Sequence, residues 1–249
     1  METNYTMCKP KSIIGMIAVF LATVVLLLFP KPVAVGQSTL FNVPSTDVVA
    51  KKKVYLEFDF LSHFDSHADG GFQIYAPRAV FGIGKGVEVG VNVTAVDTFS
   101  PDQPVYISPN VKWQFYNNEE NGVAISAGGL LYTPVAHRAG ADTYGFVYSV
   151  VSKKVSSDYG PRFTGGGYAL PGLASGAGTQ GGAIVGYEQP LAKRVTFVTD
   201  WFSGKNAFGY VTPGFSFTLP KSSLLNVGYS FGNRGPGNNA LFVYYGITF

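Results

Sequence analysis

The chain ends in "NALFVYYGITF", residues 239–249, where Leu241, Val243, Tyr245, Ile247 and Phe249 take every second position. Successive side chains of a strand point to opposite faces, so this spacing sets all five on one side of a β-strand. Chain termini ordinarily fray and suit polar residues. A strand that stops on a bare aromatic ring needs an apolar environment for one face up to its last residue.

The same period of two runs through the chain from residue 52. "VYLEFDF" sets Val54, Leu56, Phe58 and Phe60 against Tyr55, Glu57 and Asp59. "VEVGVNVTA" sets Val87, Val89, Val91 and Val93 against Glu88, Gly90, Asn92 and Thr94. "ISPNVKWQF" sets Ile107, Val111, Trp113 and Phe115 against Ser108, Asn110, Lys112 and Gln114, and "LNVGYSF" sets Leu225, Val227, Tyr229 and Phe231 against Asn226, Gly228 and Ser230. The alternation predicts twelve strands, at 52–63, 71–83, 87–97, 104–116, 122–132, 143–152, 159–169, 181–190, 194–203, 207–219, 224–232 and 239–249. Most are longer than the usual five or six residues. They match the roughly 9–11 residues with which a tilted strand crosses lipid. Aromatic residues near the strand ends, among them Phe58, Phe60, Phe72, Tyr75, Trp113, Phe115, Tyr116, Trp201, Phe202 and Phe231, suit interfacial girdles.

The connections alternate in kind. "GKG", "NNEENG", "KKVSS", "LAKR" and "PKSS" are short and mostly basic. "SHFDSHADG", "TFSPDQP", "TPVAHRAGAD", "LPGLASGAGTQ" and "NRGPGN" are longer, and "SGKN" is a short exception. Short turns at one end and long loops at the other are the habit of outer-membrane barrels. Lys51, Lys52, Lys53, Lys85, Lys153, Lys154, Lys193, Arg194 and Lys221 gather at the short-turn end, where anionic headgroups would attract them.

Composition agrees. Charged residues are 13% of 249 and aromatics 15%, with 31 glycines. Lys9 and Lys11 precede "IIGMIAVFLATVVLLLF" (13–29), an uncharged run, and Ala34-Val35-Gly36 supplies small residues for a signal peptidase. Residues 1–36 are therefore expected to be a signal peptide cleaved after Gly36. Without Lys9, Lys11, Lys31 and Glu2, the chain keeps 15 of its 18 basic and 14 of its 15 acidic residues, a balance that does not point to a nucleic-acid partner. The one cysteine, Cys8, lies in the leader, so no disulfide framework is expected. Only helices and closed barrels satisfy every backbone group in lipid, so a membrane reading here requires strands.

An exported chain closing on Val243, Tyr245, Ile247 and a final Phe249 resembles the bacterial outer-membrane β-barrel proteins, porin-like barrels of about twelve strands. The resemblance implies a single antiparallel up-and-down transmembrane barrel over residues 52–249, lying in the cell's outer membrane. It implies that the terminal strand is an assembly signal for the barrel assembly machinery. Membrane lipid and that machinery are the expected partners. Residues 37–51 form a segment on the periplasmic side, which either hangs free or tucks into the lumen as a plug.

With the apolar faces toward lipid, Glu57, Asp59, Arg78, Glu88, Asn92, Asn110, Lys112, Gln114, Glu188, Asp200 and Tyr210 point inward as candidate pore-lining residues. Many further inward positions are small, including Gly90, Ser126, Gly128, Gly214, Gly228 and Gly246, and leave room for water. The expected function is a passive pore or transporter for small polar solutes. The alternatives are a barrel hydrolase of lipid or peptide, and a structural or adhesion barrel with a plugged lumen. No G-x-S-x-G or other convincing catalytic set stands in the chain, so it is not read as an enzyme, and no cofactor is expected. His63, Asp65, His67 and Asp69 in the first long loop are a weak candidate metal set; solvated loop residues are the plainer reading.

Overall fold

A computed structural model describes residues 39–249. The expected signal peptide lies outside them. Twelve strands close into one antiparallel barrel, each paired with its neighbours in sequence. They are β1 (Val54–His63), β2 (Phe72–Gly84), β3 (Val87–Asp97), β4 (Val105–Asn118), β5 (Val123–Ala136), β6 (Tyr144–Lys154), β7 (Arg162–Ala169), β8 (Gly181–Ala192), β9 (Val195–Phe202), β10 (Tyr210–Leu219), β11 (Ser223–Gly232) and β12 (Ala240–Thr248). Closure abolishes the unpaired edges that an open sheet would present. The seam joins β1 to β12, with Tyr55 opposite Thr248 and Ser62 opposite Leu241. Phe249 completes it: its N–H donates to Val54 O at 2.9 Å, and its carbonyl accepts from Val54 N at 3.3 Å. Among the described residues no helix is long and apolar enough to cross a membrane.

The alternation resolves into two faces. Leu56, Phe58, Val91, Val111, Trp113 and Phe215 are exposed on the outside, while Glu57, Glu88, Ser108, Lys112, Ser126 and Asp200 are buried inside. Outer rings meet one another across strands, as Phe163 meets Tyr187 and Phe197 meets Phe215. Two residues assigned to the girdle belong elsewhere. Phe202 is buried in the lumen, and Phe72 packs against the same internal cluster. Both are in phase with inward residues of their strands, and the phase, not nearness to a strand end, sets the side.

Two strands start three residues later than the sequence reading. β7 begins at Arg162 rather than at 159. The preceding segment closes as a turn, in which Val155 N donates to Pro161 O, and Pro161 has no N–H for a ladder. β10 begins at Tyr210 rather than at 207, because Asn206 ties its loop inward. Its Nδ2 donates to Tyr168 Oη and Thr179 O at 2.8 Å each, and Phe208 follows into the lumen to meet Phe146 and Tyr132.

Candidate functional site

The lumen is not an open tube. Residues 39–49, which lead into β1 at the short-turn end, lie inside it. Leu40, Val43, Ser45 and Thr46 are each 0% exposed. The segment reverses over Phe41-Asn42, with Thr39 bridged to Pro44 and Leu40 N donating to Val43 O at 2.8 Å.

Its anchor is Asp200 on β9. One carboxylate oxygen, Oδ2, accepts from the backbone N–H groups of Phe41, Asn42 and Val43 at 2.9, 2.7 and 2.8 Å. Hydrogen bonds to an ionised acceptor are about twice as strong as neutral ones. The turn's three donors would otherwise be buried and unpaired. Around it, Tyr244 Oη and Asn226 Nδ2 donate to Leu40 O at 2.6 and 3.0 Å, and Asn42 Nδ2 donates to Thr212 Oγ1 at 3.0 Å.

Farther along the segment, charged wall residues hold its backbone and its one acid. Val49 N donates to Glu88 Oε2 at 2.7 Å, Lys112 Nζ to Asp47 O at 2.7 Å, and Gln114 Nε2 to Thr46 O at 2.9 Å. Lys112 also pairs with Glu88 at 3.1 Å. Arg162 joins Asp47 of the segment at 2.6 Å and forks onto Glu188 of β8.

The small inward residues therefore leave room for side chains, where the sequence suggested water. Leu40 Cδ2 sits where a Cβ at Gly186 would come within 2.6 Å of it. The Phe41 ring lies over Gly228, and the Tyr148 hydroxyl over Gly128.

Toward the long-loop end the lining changes from polar to aromatic. Tyr132 stacks on Tyr144 at 4.8 Å, and Tyr106 meets both edge-on at 6.2 and 6.0 Å. These rings, with Phe208 and Phe242, wall a chamber of about 430 Å³ floored by Phe41 and Asn42 of the segment. The chamber shares Ile74, Gln103 and Tyr210 with a larger hollow at the rim, of about 600 Å³, which also touches His67 and Arg234. Its one charged pole is Asp59 with Arg78. Arg78 reaches Glu57 Oε1 at 3.0 Å and Asp59 Oδ2 at 3.5 Å, and Glu57 Oε2 accepts from Tyr55 Oη at 2.5 Å.

All eleven candidate lining residues face inward, and they divide into groups. Glu57, Asp59 and Arg78 form the chamber's pole. Asn110 Nδ2 donates to Asn92 Oδ1 at 2.9 Å nearby. Glu88, Lys112, Gln114 and Asp200 bind the N-terminal segment, Glu188 holds Arg162 beside it, and Tyr210 lines the chamber. The weak metal set does not converge. His63 meets Asn239 O at 2.6 Å and Asp65 at 3.0 Å, whereas His67 turns to Gln73 at 2.8 Å and Asp69 accepts from Ser66 at 2.5 Å. Among the described residues no three His, Cys, Asp or Glu form a group fit for a metal ion.

Sequence reasoning missed Arg162 and three of the chamber's tyrosines, Tyr106, Tyr132 and Tyr144. Arg162 shares the inward phase of Thr164 and Tyr168. β6 reads "YGFVYSVV", apolar on both faces, and a barrel strand with two apolar faces signals packing inside as well as outside. Compared with known proteins, the chain matches no family model and no curated protein.

Proposed function

We propose that the protein is an outer-membrane transport barrel for small polar solutes, closed at rest by its own N-terminal segment. The solute enters from the long-loop side into the aromatic chamber, and displacement of residues 39–50 opens the way through. The reading rests on one observation above all. Beyond its chain connection to β1, the occluding segment is held in place across the lumen by hydrogen bonds and ion pairs to strand residues, from Asp200 at the turn to Arg162 and Lys112 near its exit. Such polar contacts are remade with water at modest net cost, while Leu40, Phe41 and Val43, packed in an apolar cluster with Phe146, Phe202 and Phe242, make leaving the seat cost more and keep the barrel shut at rest. The outward apolar face, the aromatic girdles and the basic short-turn end support placement in lipid, with the short turns inside.

The test is conductance in planar lipid bilayers of the mature chain and of a variant lacking residues 39–46. The intact barrel should hold the membrane nearly sealed, and the deletion should give stepwise conductance. A correctly folded deletion variant that still seals the membrane would overturn the transport reading, and hydrolysis of added lipid by that protein would favour the enzyme.

A further inference from the structure

The geometry points to the chamber as a binding site for a small uncharged molecule with an apolar body and one acceptor oxygen, such as a ketone or an ester. This deepens the transport reading by narrowing the solute, and it rests on that reading only for what binding is for.

Three observations carry it. The first is that the chamber offers nothing to an ion. Its one guanidinium, on Arg78, is already engaged by Glu57 at 3.0 Å and by Asp59 at 3.5 Å. The acidic side is equally closed. The Glu57 side chain is wholly buried, and Asp59 Oδ1 is sealed from solvent. An anion or a cation entering here would shed its water and find no opposite charge free to meet it. Burying an unpaired ion costs far more than burying a neutral group.

The second is a set of open donors. Tyr106, Tyr132 and Tyr144 line the chamber and are half-buried, and their hydroxyls find no hydrogen-bond partner among the described residues. Unlike Asp59 Oδ1, none of these three oxygens is shut away from solvent. Each O–H can donate to a ligand oxygen and so replace the water that it would otherwise need.

The third is an apolar way in. The rim hollow and the chamber share Ile74, Val96 and Ala207, and the hollow adds Phe99, whose ring is largely exposed. Farther in, Leu61, Phe208 and Phe242 continue the lining to the floor. Such a wall covers an apolar body, and a chamber of about 430 Å³ falls in the range of pockets that enclose one small molecule. The wall alone would accept any apolar molecule. The tyrosine hydroxyls add a preference for an acceptor oxygen, and the engaged pole rejects charge.

The experiment compares three probes of nearly one shape, acetophenone, benzoate and benzamidinium, by calorimetry on the detergent-solubilised mature barrel at neutral pH, with empty micelles as the blank. Acetophenone should bind at least about tenfold tighter than either ion, since each ion loses its water without gaining a partner. A variant combining Tyr106→Phe, Tyr132→Phe and Tyr144→Phe should weaken acetophenone about three- to tenfold, by the loss of its hydrogen bond. Ala207→Trp, on the loop shared by chamber and rim, should abolish acetophenone binding. Both variants should keep the heat-modifiable barrel. Benzoate or benzamidinium binding as tightly as acetophenone would overturn the proposal. So would acetophenone binding undiminished in either variant, or no binding of any probe. Selective acetophenone binding by a barrel whose plug deletion carries no current would uphold this site and defeat transport. Current through the deletion with no acetophenone binding to the intact barrel would do the reverse.

Discussion

Asp200 and Phe41 stand 159 positions apart in the chain, yet the Asp200 carboxylate accepts the Phe41 N–H at 2.9 Å inside the barrel. The same oxygen takes the next two N–H groups as well, so one side chain of β9 organises the whole reversal of the occluding segment.

Removing that charge should loosen the segment. Asp200→Asn keeps the shape and loses the ionised acceptor, which should cost the seated state about 2 kcal/mol. The mature chain is expected to lack cysteine, so Ser45→Cys gives a single thiol at a fully buried position. Maleimide should label that thiol roughly 30-fold faster in the Asp200→Asn background, by the same free energy. Equal labelling rates would show that Asp200 does not hold the segment.

Gly186 gives a steric test of the same seat. An added Cβ meets the tip of Leu40 at 2.6 Å, and its next neighbour, Thr164 Cβ, only at 3.3 Å. Gly186→Ala should therefore push on the segment before it pushes on the wall, at about 1–3 kcal/mol. Leu40→Ala should cost about 2–5 kcal/mol through the cavity it leaves. The double variant should be milder than the two costs added, by about 1 kcal/mol or more in denaturant titration. Strict additivity would mean that Leu40 does not pack where described.

The outward face is tested by charge. Val91 is exposed on the outside of β3, and Thr94 lines the chamber on the inside of the same strand. Val91→Arg should cost about 2–4 kcal/mol of barrel stability in lipid, and Thr94→Arg far less. Equal costs would place β3 outside a bilayer.

Phe249 closes the seam through its backbone, and its ring is largely exposed on the outer face. Phe249→Ala keeps the backbone bonds and loses at most about 1.5–3 kcal/mol of side-chain burial. Refolding into detergent should be near normal. Heat-modifiable barrel recovered from the outer membrane of a Gram-negative host should fall sharply, if the final ring is read during assembly. Normal yield in both settings would remove the assembly role.

The walls of this fold are legible in sequence because strands with an apolar outer face and a polar inner one impose a strict period of two, and Val87–Thr94 or Leu225–Phe231 obey it without exception. The occluding segment is not. "TLFNVPSTDVVA" has neither period, and its partners, Asp200, Asn226 and Tyr244, lie far along the chain on other strands. Phase gives the inward side of Glu57, Glu88, Lys112 and Asp200 one strand at a time, but their grouping depends on which strands stand opposite across the lumen, which alternation does not encode. The tyrosine wall was hidden for a different reason. Tyr132 and Tyr144 sit near strand ends, where an aromatic ring reads equally well as a girdle residue facing out.

The hydrogen bond from Tyr244 to Leu40 joins the last strand of the barrel to a segment that precedes the first. The earliest part of the described chain thus takes part of its seat from the latest part. A barrel missing β11 and β12 would lack Asn226 and Tyr244, and the Leu40 carbonyl would lose the two donors they supply. The stopper is thus shared between wall strands that are early and late in the chain, and the part of its seat at Leu40 exists only in a barrel whose circumference is complete.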